Sequence, residues 1–246
     1  MHRFFAPNLD LGILSREESH HALSVLRLKE GDALAVFDGK GREARATVAS
    51  ADKDGLRFRV QSIHQAPAPA FQLRLGQAVP KNKAMDFIIQ KGTELGLPTL
   101  YPILSDRSVV QLEGERAESK AGKWSQTALE ACKQCGQNWL PDIHPPLSVS
   151  AFIDSQKAWG GLKMIASLQP GARPLHLVLA EARQTPQWNN LTFLIGPEGD
   201  FTPAETGAFL SAGYLPVSLG PTVLRTETAA LYTMGILLYE LQRASA

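Results

Sequence analysis

The chain carries two distinctive stretches near its C-terminus: Leu194-Ile195-Gly196-Pro197-Glu198-Gly199 and Leu219-Gly220-Pro221-Thr222-Val223-Leu224-Arg225-Thr226-Glu227-Thr228-Ala229-Ala230. Each follows a short apolar run that is typical of a buried strand, and each leads into a helical pattern. In open α/β sheets, the loops at the carboxyl ends of strands line the ligand crevice. We therefore predict an α/β domain in which these two loops follow adjacent strands and form one ligand site.

The second stretch favours a binding or catalytic site more strongly than the first. Gly-Pro-Glu-Gly alone is most often a tight turn, because Pro restricts φ and Gly permits unusual backbone conformations. In the second stretch, however, four consecutive polar residues open an apolar helix, where a single N-cap residue would suffice. Among these four, Arg225 offers a permanently charged planar guanidinium, and Glu227 offers a carboxylate acceptor.

Together the two stretches resemble the signature of the uridine-N3 methyltransferases of 16S ribosomal RNA, the RsmE family of the SPOUT superfamily. Further motifs of that family follow in the expected order along nearly the whole chain: His2-Arg3-Phe4-Phe5, His21 to Leu28, Lys81 to Gly96, Arg107-Ser108-Val109 and Ala131 to Gly136. Three positions depart from the family pattern. Asp200 and Thr222 replace a common Gly and Arg, and Gln137 replaces another common Arg. We expect the Asp200 side chain to point to solvent.

The resemblance implies S-adenosylmethionine (SAM) as the cofactor, bound in a C-terminal trefoil knot, and no metal. The cofactor-binding residues that it implies lie in the two loops: Leu194, Ile195, Gly196, Pro197, Glu198, Gly199, Leu219, Gly220, Val223, Leu224, Thr226, Thr228 and Ala229. Uridine N3 bears a proton at neutral pH, so methylation requires a base and stabilisation of the resulting negative charge. We expect Glu227 to be the base and Arg225 the stabiliser, with Glu198 as the competing base. Glu181 is a further candidate for the crevice.

Residues 1–68 are predicted to form a small β-rich domain, which the resemblance identifies as a PUA-like RNA-binding β-barrel. A capping box of Ser15 and Glu18 opens its one short helix, and strands are expected over Ala33 to Phe37, Glu43 to Ala49 and Leu56 to Ile63. A proline-rich linker ends the domain. The candidate RNA contacts are cations, mostly in this domain: Arg3, Arg27, Lys29, Lys40, Arg42, Arg45, Lys91 and Arg107.

Residues 69–246 are predicted to form the SPOUT methyltransferase domain with the C-terminal knot. Strand and helix patterns alternate along this part, which favours a mostly parallel sheet with helices on both faces. The expected strands are Phe71 to Val79, Leu100 to Leu104, Met164 to Leu168, Leu175 to Ala180, Leu191 to Ile195 and Leu215 to Leu219; the expected helices are Lys83 to Leu95, Trp124 to Cys135, one from Pro203, and a last one after Thr226. That last helix has a second apolar face, Tyr232, Ile236 and Tyr239, which suits a homodimer.

Composition narrows the class of protein. A net charge of +1 excludes a global basic field, so an RNA partner must meet local basic patches, mostly in the first part of the chain. The sequence contains no membrane-spanning run and no signal-peptide pattern, so we expect a cytoplasmic protein whose substrate is 16S rRNA within the 30S subunit. Cys132 and Cys135 are expected to be reduced thiols on a helix. Two alternatives remain: a SPOUT enzyme with another target, such as a ribose 2′-hydroxyl, and a non-catalytic RNA-binding module.

Overall fold

The protein is known from a computed structural model, which describes residues 1–52, 55–81, 84–108 and 114–244. The chain divides into two compact units. The first unit comprises Met1–Ala68 together with Leu129–Leu140, and the second comprises Pro69–Ala128 and Pro141–Ala246. A short segment from the middle of the sequence therefore belongs to the N-terminal unit. In the described ranges, no helix has the length and apolar character needed to span a membrane.

The strands are β1 (His2–Phe5), β2 (Ala33–Phe37), β3 (Arg42–Asp52), β4 (Gly55–Gln65), β5 (Gln72–Ala78), β6 (Thr99–Leu104), β7 (Asp142–Ile143), β8 (Leu147–Ser148), β9 (Leu162–Ala166), β10 (Arg173–Pro174), β11 (Asn190–Ile195) and β12 (Leu215–Ser218). The helices are α1 (Arg16–His20), α2 (Ala84–Leu95), α3 (Glu115–Cys135), α4 (Val149–Ser155), α5 (Leu175–Ala182), α6 (Pro203–Ser211) and α7 (Thr226–Ala244). The described residues also contain 3₁₀ turns at Leu9–Leu11 and Pro186–Asn189 and a π-helical turn at His21–Val25. Lys83 and Val109, which belong to two of the predicted motifs, lie outside the described residues.

The first unit contains a four-stranded sheet in the order β1-β2-β3-β4, which confirms the prediction of a β-rich domain. β1 pairs parallel to β2, and the other two pairings are antiparallel. Side chains alternate between the two faces of a strand. Ala44, Ala46 and Val48 of β3 accordingly belong to the buried core, whereas Arg45 is exposed.

The short helix of the first unit begins where the sequence predicts, but only half of the expected capping box forms. The Ser15 hydroxyl accepts a hydrogen bond from the Glu18 backbone nitrogen at 3.2 Å. The Glu18 carboxylate does not return to the cap; it accepts from Lys133 Nζ at 2.7 Å and from the Phe5 backbone nitrogen. A buried cation is a stronger partner for a carboxylate than a cap amide is, and it draws Glu18 away.

The second unit is built on one parallel sheet in the order β10-β12-β9-β11-β5-β6-β7, with β8 also pairing with β6. Every pairing in this sheet is parallel, as the alternation of strand and helix patterns predicts. Helix α6 has the predicted capping box of Thr202 and Glu205, with Pro203 at its first turn. The trefoil knot stays a prediction, because strand order alone does not trace how the chain passes through its own loops.

One predicted strand of this unit is wrong, since residues 175–182 form helix α5. Its buried residues are Leu175, Val178, Leu179 and Ala182, a spacing of three and four that is helical. A short apolar run does not distinguish a buried strand from a helix, and the strand was predicted from apolar content rather than from this spacing. The error matters for Glu181, which was expected to follow a strand and instead lies on the exposed side of the helix.

Candidate active site

A cavity of about 310 Å³ lies at the carboxyl edge of the second unit's sheet. Its lining comes from the ends of three strands and from the start of α7: Ala166, Ser167, Leu168, Ile195, Gly196, Pro197, Glu198, Asp200, Leu219, Gly220, Thr222, Val223, Leu224, Arg225, Thr226 and Ala229. The expectation that the two loops follow adjacent strands is wrong, because β9 lies between β11 and β12. The loops still meet in one cavity, because all three strands run parallel and end at the same edge.

The cavity brings together most of the residues predicted to bind the cofactor, but not all of them. Leu194 is fully buried in the core of the unit instead. Gly199, in the first loop, and Thr228, in the first turn of α7, lie outside the lining. Ala166, Ser167 and Leu168, at the end of β9, were not predicted from the sequence. These residues lie at the end of a predicted buried strand, which could have indicated them. The sequence does not show, however, that this strand lies between the two strands that lead into the loops.

The first loop is held in shape by hydrogen bonds along its whole length. Its turn closes with the Asp200 backbone nitrogen donating to Pro197 O at 2.9 Å. Glu198 Oε1 accepts from the Lys81 backbone nitrogen at 3.0 Å, and Arg107 donates to Gly199 O at 2.6 Å. The Arg107 guanidinium therefore braces this loop, whereas the family resemblance suggested that it binds RNA.

Asp200 has a structural role that corrects the expectation of a solvent-pointing side chain. Its φ is 60°, in the left-handed region where Gly is favoured and where Asp is one of the few tolerated alternatives. Its Oδ1 accepts from the Phe201 backbone nitrogen at 2.8 Å, and the half-buried residue lines the cavity. This local hydrogen bond explains how Asp occupies a position where the family often has Gly.

The second loop leads directly into α7 and places Arg225 and Glu227 differently. Arg225 lines the cavity, and its carbonyl oxygen accepts the first hydrogen bond of the helix, from the Ala229 backbone nitrogen at 2.8 Å. Glu227 is half-buried in the first turn and does not line the cavity. Residues two apart at a helix start point in different directions, which separates the two side chains. Neither side chain has a hydrogen-bond or ion-pair partner among the described residues.

Two other candidates have partners away from the cavity. Glu181 pairs with Arg173, whose hydrogen bond and charge lower the pKa of the Glu181 carboxyl. Lys91 pairs with Glu94 on α2 at 2.7 Å. The Glu181 pair lies on the exposed surface, so we exclude Glu181 from the site proposed below.

The cations predicted to bind RNA in the first unit fall into two groups. The Arg3 guanidinium lies over the Phe37 ring, pairs with Glu43 and donates to Gln137 O at 2.9 Å and to Asn138 Oδ1, and burial lowers its pKa. Arg42 pairs with Asp10 at 3.1 Å. By contrast, four cations are exposed: Arg27, Lys29, Lys40 and Arg45. Because its guanidinium is committed to protein partners, we leave Arg3 out of the RNA surface proposed below.

Two exposed arginines of β4 were not predicted from the sequence. Arg57 and Arg59 alternate with the buried Leu56 and Phe58, so they share the outward face of the sheet. Thr47 is the register partner of Arg59, and Arg45 is two residues before Thr47 on the same face of β3. Because alternate residues of a strand share one face, the spacing of Arg57 and Arg59 within the predicted strand could have revealed them.

Both cysteines lie on α3 and are free, as predicted. Cys132 is buried, and burial raises the pKa of its thiol to about 12. A thiol that stays protonated is a poor nucleophile and a poor metal ligand. Among the residues that the structure describes, no group of three or more His, Cys, Asp or Glu side chains is placed to hold a metal ion.

A parallel sheet whose carboxyl edge carries a cavity built from Gly- and Pro-containing loops defines a ligand-binding α/β domain. Residues 66–238 match the family described as RNA methyltransferase domain, and residues 14–61 match the RNA methyltransferase PUA domain. Because the first match covers more than half of the chain, this protein belongs to the RNA methyltransferase domain family.

Within that family, the chain is similar to proteins named ribosomal RNA small subunit methyltransferase E. The one from Bacillus subtilis (strain 168) is 29% identical over 230 residues, which cover 92% of this chain and 89% of the relative. The solved structure of the Neisseria gonorrhoeae protein of that name, bound to S-adenosyl methionine, is 28% identical with a TM-score of 0.83 and covers 97% of both chains. A Legionella pneumophila methyltransferase solved with bound SAM is 30% identical with a TM-score of 0.85 over 96% of both chains. These similarities confirm the resemblance to the RsmE family.

Proposed function

We propose that this protein is a SAM-dependent methyltransferase that modifies N3 of a uridine in the decoding region of 16S rRNA, on the 30S subunit in the cytoplasm. The observation that carries the proposal is the cavity itself. Gly-Pro-Glu-Gly and the start of α7 meet there, and relatives of this chain were solved with SAM bound. We further propose that residues 1–68, with 129–140, form the RNA-binding unit and that the remainder forms the methyltransferase domain.

The lining of the cavity suits a cofactor with an adenosine part and an amino-acid part. Its volume, about 310 Å³, lies at the lower end of the range for small-molecule sites. Leu168, Leu219 and Val223 offer apolar contact, and the Val223 side chain is 76% exposed, so it is accessible to a ligand. Backbone groups of the two loops would hold the polar parts. When bound, SAM supplies an electrophilic methyl group on its sulfonium.

The protein's own contribution to the reaction is to remove the N3 proton and to stabilise the charge that remains. We assign stabilisation to Arg225, whose guanidinium lies on the cavity lining without a partner among the described residues. We assign proton removal to Glu227, because its carboxylate is similarly uncommitted. Glu198 is the alternative base: it lines the cavity, but its Oε1 already accepts from the Lys81 backbone nitrogen.

For the RNA surface we propose the outward face of β3 and β4, formed by Arg45, Arg57 and Arg59. All three are exposed and have no ion pair with a described acidic residue, whereas Arg3 and Arg42 are paired. Unpaired guanidinium groups are free to bind phosphates in pairs of hydrogen bonds. Arg27 and Lys29, in the exposed segment after the π-helical turn, extend the proposed surface.

We also propose that the protein is a homodimer through α5 and α7. A second cavity, of about 560 Å³, is lined by residues of these helices, including Leu175, Leu179, Tyr232 and Ile236. Tyr232 is 48% exposed and Tyr239 is 64% exposed on the same helix. A symmetric contact between two copies of α7 would cover these rings. Sedimentation at micromolar concentration should give the mass of two chains.

Two measurements test the proposed function. Calorimetric titration with SAM separates an enzyme from a non-catalytic RNA-binding module, which would give no heat of binding. Transfer of labelled methyl groups to purified 30S subunits and to free 16S rRNA, followed by nucleoside analysis, separates N3 methylation from ribose methylation. We expect 3-methyluridine on 30S subunits; a 2′-O-methylated product would establish the alternative SPOUT activity instead.

The RNA surface has its own test in the salt dependence of 16S rRNA binding. Replacing Arg45, Arg57 and Arg59 by Gln should flatten the slope of log K against log salt by about one unit for each phosphate that the variant no longer binds. The matched control is Arg173→Gln, an exposed arginine of the second unit that is paired with Glu181. An unchanged slope in the triple variant would place the RNA surface elsewhere.

A further inference from the structure

A buried amide beside the cavity forms a directed chain of hydrogen bonds between the two loops. Gln77, near the end of β5, is 0% exposed and lies in register with Ile195 of β11. Its Nε2 is 2.8 Å from Ala78 O and 3.0 Å from Thr226 Oγ1, and that hydroxyl is 2.8 Å from Gly196 O. Thr226 is the first residue of α7, and Gly196 belongs to the Gly-Pro-Glu-Gly loop.

The direction of every bond in this chain follows from its chemistry. A carbonyl oxygen only accepts, so the atom of Gln77 that faces Ala78 O must be the amide nitrogen. The hydroxyl of Thr226 has one hydrogen, which it must donate to Gly196 O, so it accepts from Gln77. The order of donation is therefore Gln77 to Thr226 to Gly196, with no alternative arrangement of the hydrogens.

The same amide leaves its other atom unsatisfied. Gln77 Oε1 is buried without a hydrogen-bond partner among the described residues. A buried acceptor without a partner destabilises a fold, and an apolar side chain of similar size, such as Met, would avoid that cost. The structural benefit of Gln77 must therefore come from its nitrogen, whose two hydrogens bond to Ala78 O and to the Thr226 hydroxyl.

We propose that Gln77 is a positioning residue for the cofactor site. By orienting the Thr226 hydroxyl, it fixes the peptide plane of Gly196 relative to the first turn of α7, and so keeps the two cofactor loops in one arrangement. Both Gly196 and Thr226 line the cavity, whereas Gln77 does not, so Gln77 acts only through Thr226. The inference rests on the proposed function in one respect, the identity of SAM as the ligand.

The test compares three single variants and one double variant by calorimetric titration with SAM. Thr226→Val keeps the shape of the side chain but removes the hydroxyl, Gln77→Met removes the donor, and Thr226→Ser keeps the hydroxyl. We expect Thr226→Val and Gln77→Met to weaken SAM binding about fivefold to tenfold, which corresponds to the loss of one hydrogen bond. Thr226→Ser should retain most of the wild-type affinity, because it keeps the hydroxyl. The double variant Gln77→Met/Thr226→Val should be no weaker than the weaker single variant, because both break one chain.

A second readout does not depend on SAM at all. Amide hydrogen exchange at Gly196, Glu198, Gly199 and Asp200 of the cofactor-free protein should be faster in Thr226→Val and Gln77→Met, and near normal in Thr226→Ser. If wild-type protein fails to bind SAM, the proposed function fails, and the exchange rates alone decide on the positioning role. Additive losses in the double variant, unchanged exchange in the folded variants, or faster exchange with unchanged SAM affinity would each overturn that role.

Discussion

Two regions of this protein, the buried interior of the first unit and the cavity of the second, use their charged side chains in opposite ways. In the first unit, Lys133 and Glu18 form an ion pair with side chains only 9% and 8% exposed, and Arg3 is bound by Glu43 and by the segment around Asn138. In the second unit, Arg225 on the cavity lining and Glu227 beside it in the first turn of α7 have no hydrogen-bond or ion-pair partner among the described residues. Removing one member of a buried pair destabilises the fold, whereas unpaired charges beside a cavity remain available for a substrate.

This difference separates a structural arginine from a candidate catalytic one, although both belong to motifs of the same family. Arg3 and Arg225 have the same chemistry, and only their surroundings distinguish them. Replacing members of each group should therefore have different consequences, on catalysis for one and on stability for the other.

The largest effect is expected from the unpaired charges at the cavity. Arg225→Ala and Glu227→Gln should each lower single-turnover methylation at least about a hundredfold, because a preorganised charge partner or a proton acceptor is lost. SAM affinity should change by less than about tenfold, since backbone and apolar contacts remain. The residual rate of Glu227→Gln should rise with pH, as hydroxide replaces the base. A near-normal rate in Glu227→Gln would transfer that role to Glu198.

A somewhat smaller effect is expected at the bare backbone of the first loop. A Cβ atom on Gly196 would lie only 3.0 Å from Asp200 Oδ1 and 3.4 Å from the Phe201 ring, so the Asp200 side chain must shift and the branched side chain of Val has little room. Overpacking of this kind costs about 1–3 kcal/mol in the free energy of the native loop arrangement. If SAM binds only that arrangement, its affinity should fall by up to about a hundredfold while the protein stays folded. The control is Gly199→Ala, whose Cβ would meet Arg107 at an ordinary 3.5 Å. Wild-type SAM affinity in folded Gly196→Val would remove this loop from the site.

The paired charges of the first unit should affect stability instead of catalysis. Lys133→Met leaves the Glu18 carboxylate buried without its cation, and we expect a loss of about 3 kcal/mol in the free energy of unfolding of that unit. The matched control is Lys157→Met, which breaks an exposed pair with Asp154 and should cost less than about 1 kcal/mol. Urea denaturation measures both; equal losses would refute the contrast between the two kinds of pair.

The smallest expected effect is the pH dependence of the stability that the Lys133–Glu18 pair contributes. Burial alone would lower the pKa of Lys133, but hydrogen bonds to Glu18 and Glu130 outweigh burial and raise it. A raised pKa in the folded state adds stability below the unfolded value, about 10.4, and that stability is lost as the pH rises through the folded value. The difference in unfolding free energy between wild type and Lys133→Met should therefore be constant from pH 7 to about pH 10 and shrink above it. A difference that grows with alkaline pH would contradict the assignment.

Local patterns in the sequence predicted most of the elements and both loops of the cavity. Helix α6 followed from Thr202, Pro203 and Glu205, because a capping box is a short-range interaction that four residues specify. The residues of the two loops were likewise visible, because Gly and Pro beside charged side chains stand out after an apolar run. Residues 175–182 differ, because their apolar content is equally typical of a buried strand and only the spacing of Leu175, Val178 and Leu179 indicates a helix.

Long-range arrangement was the part that the sequence could not supply. Insertion of β9 between β11 and β12 added Ala166, Ser167 and Leu168 to the cavity, and strand order depends on pairings between residues far apart in the chain. The sequence likewise does not show that Leu129–Leu140 belongs to the first unit. That arrangement depends on hydrogen bonds such as the one from Arg3 to Gln137 O, between residues 134 positions apart. A fragment ending at residue 68 lacks these partners, so RNA binding should be measured on the full chain.

The central claim is that the unpaired charges at the cavity serve methylation of uridine N3 in 16S rRNA. The most direct measurement is nucleoside mass spectrometry of 16S rRNA from a strain without this gene, with the wild-type gene restored, and with Arg225→Ala restored. We predict that 3-methyluridine disappears in the deletion strain, returns with the wild-type gene and does not return with Arg225→Ala. Persistence of 3-methyluridine in the deletion strain, or loss of a ribose-methylated nucleoside in its place, would contradict that claim.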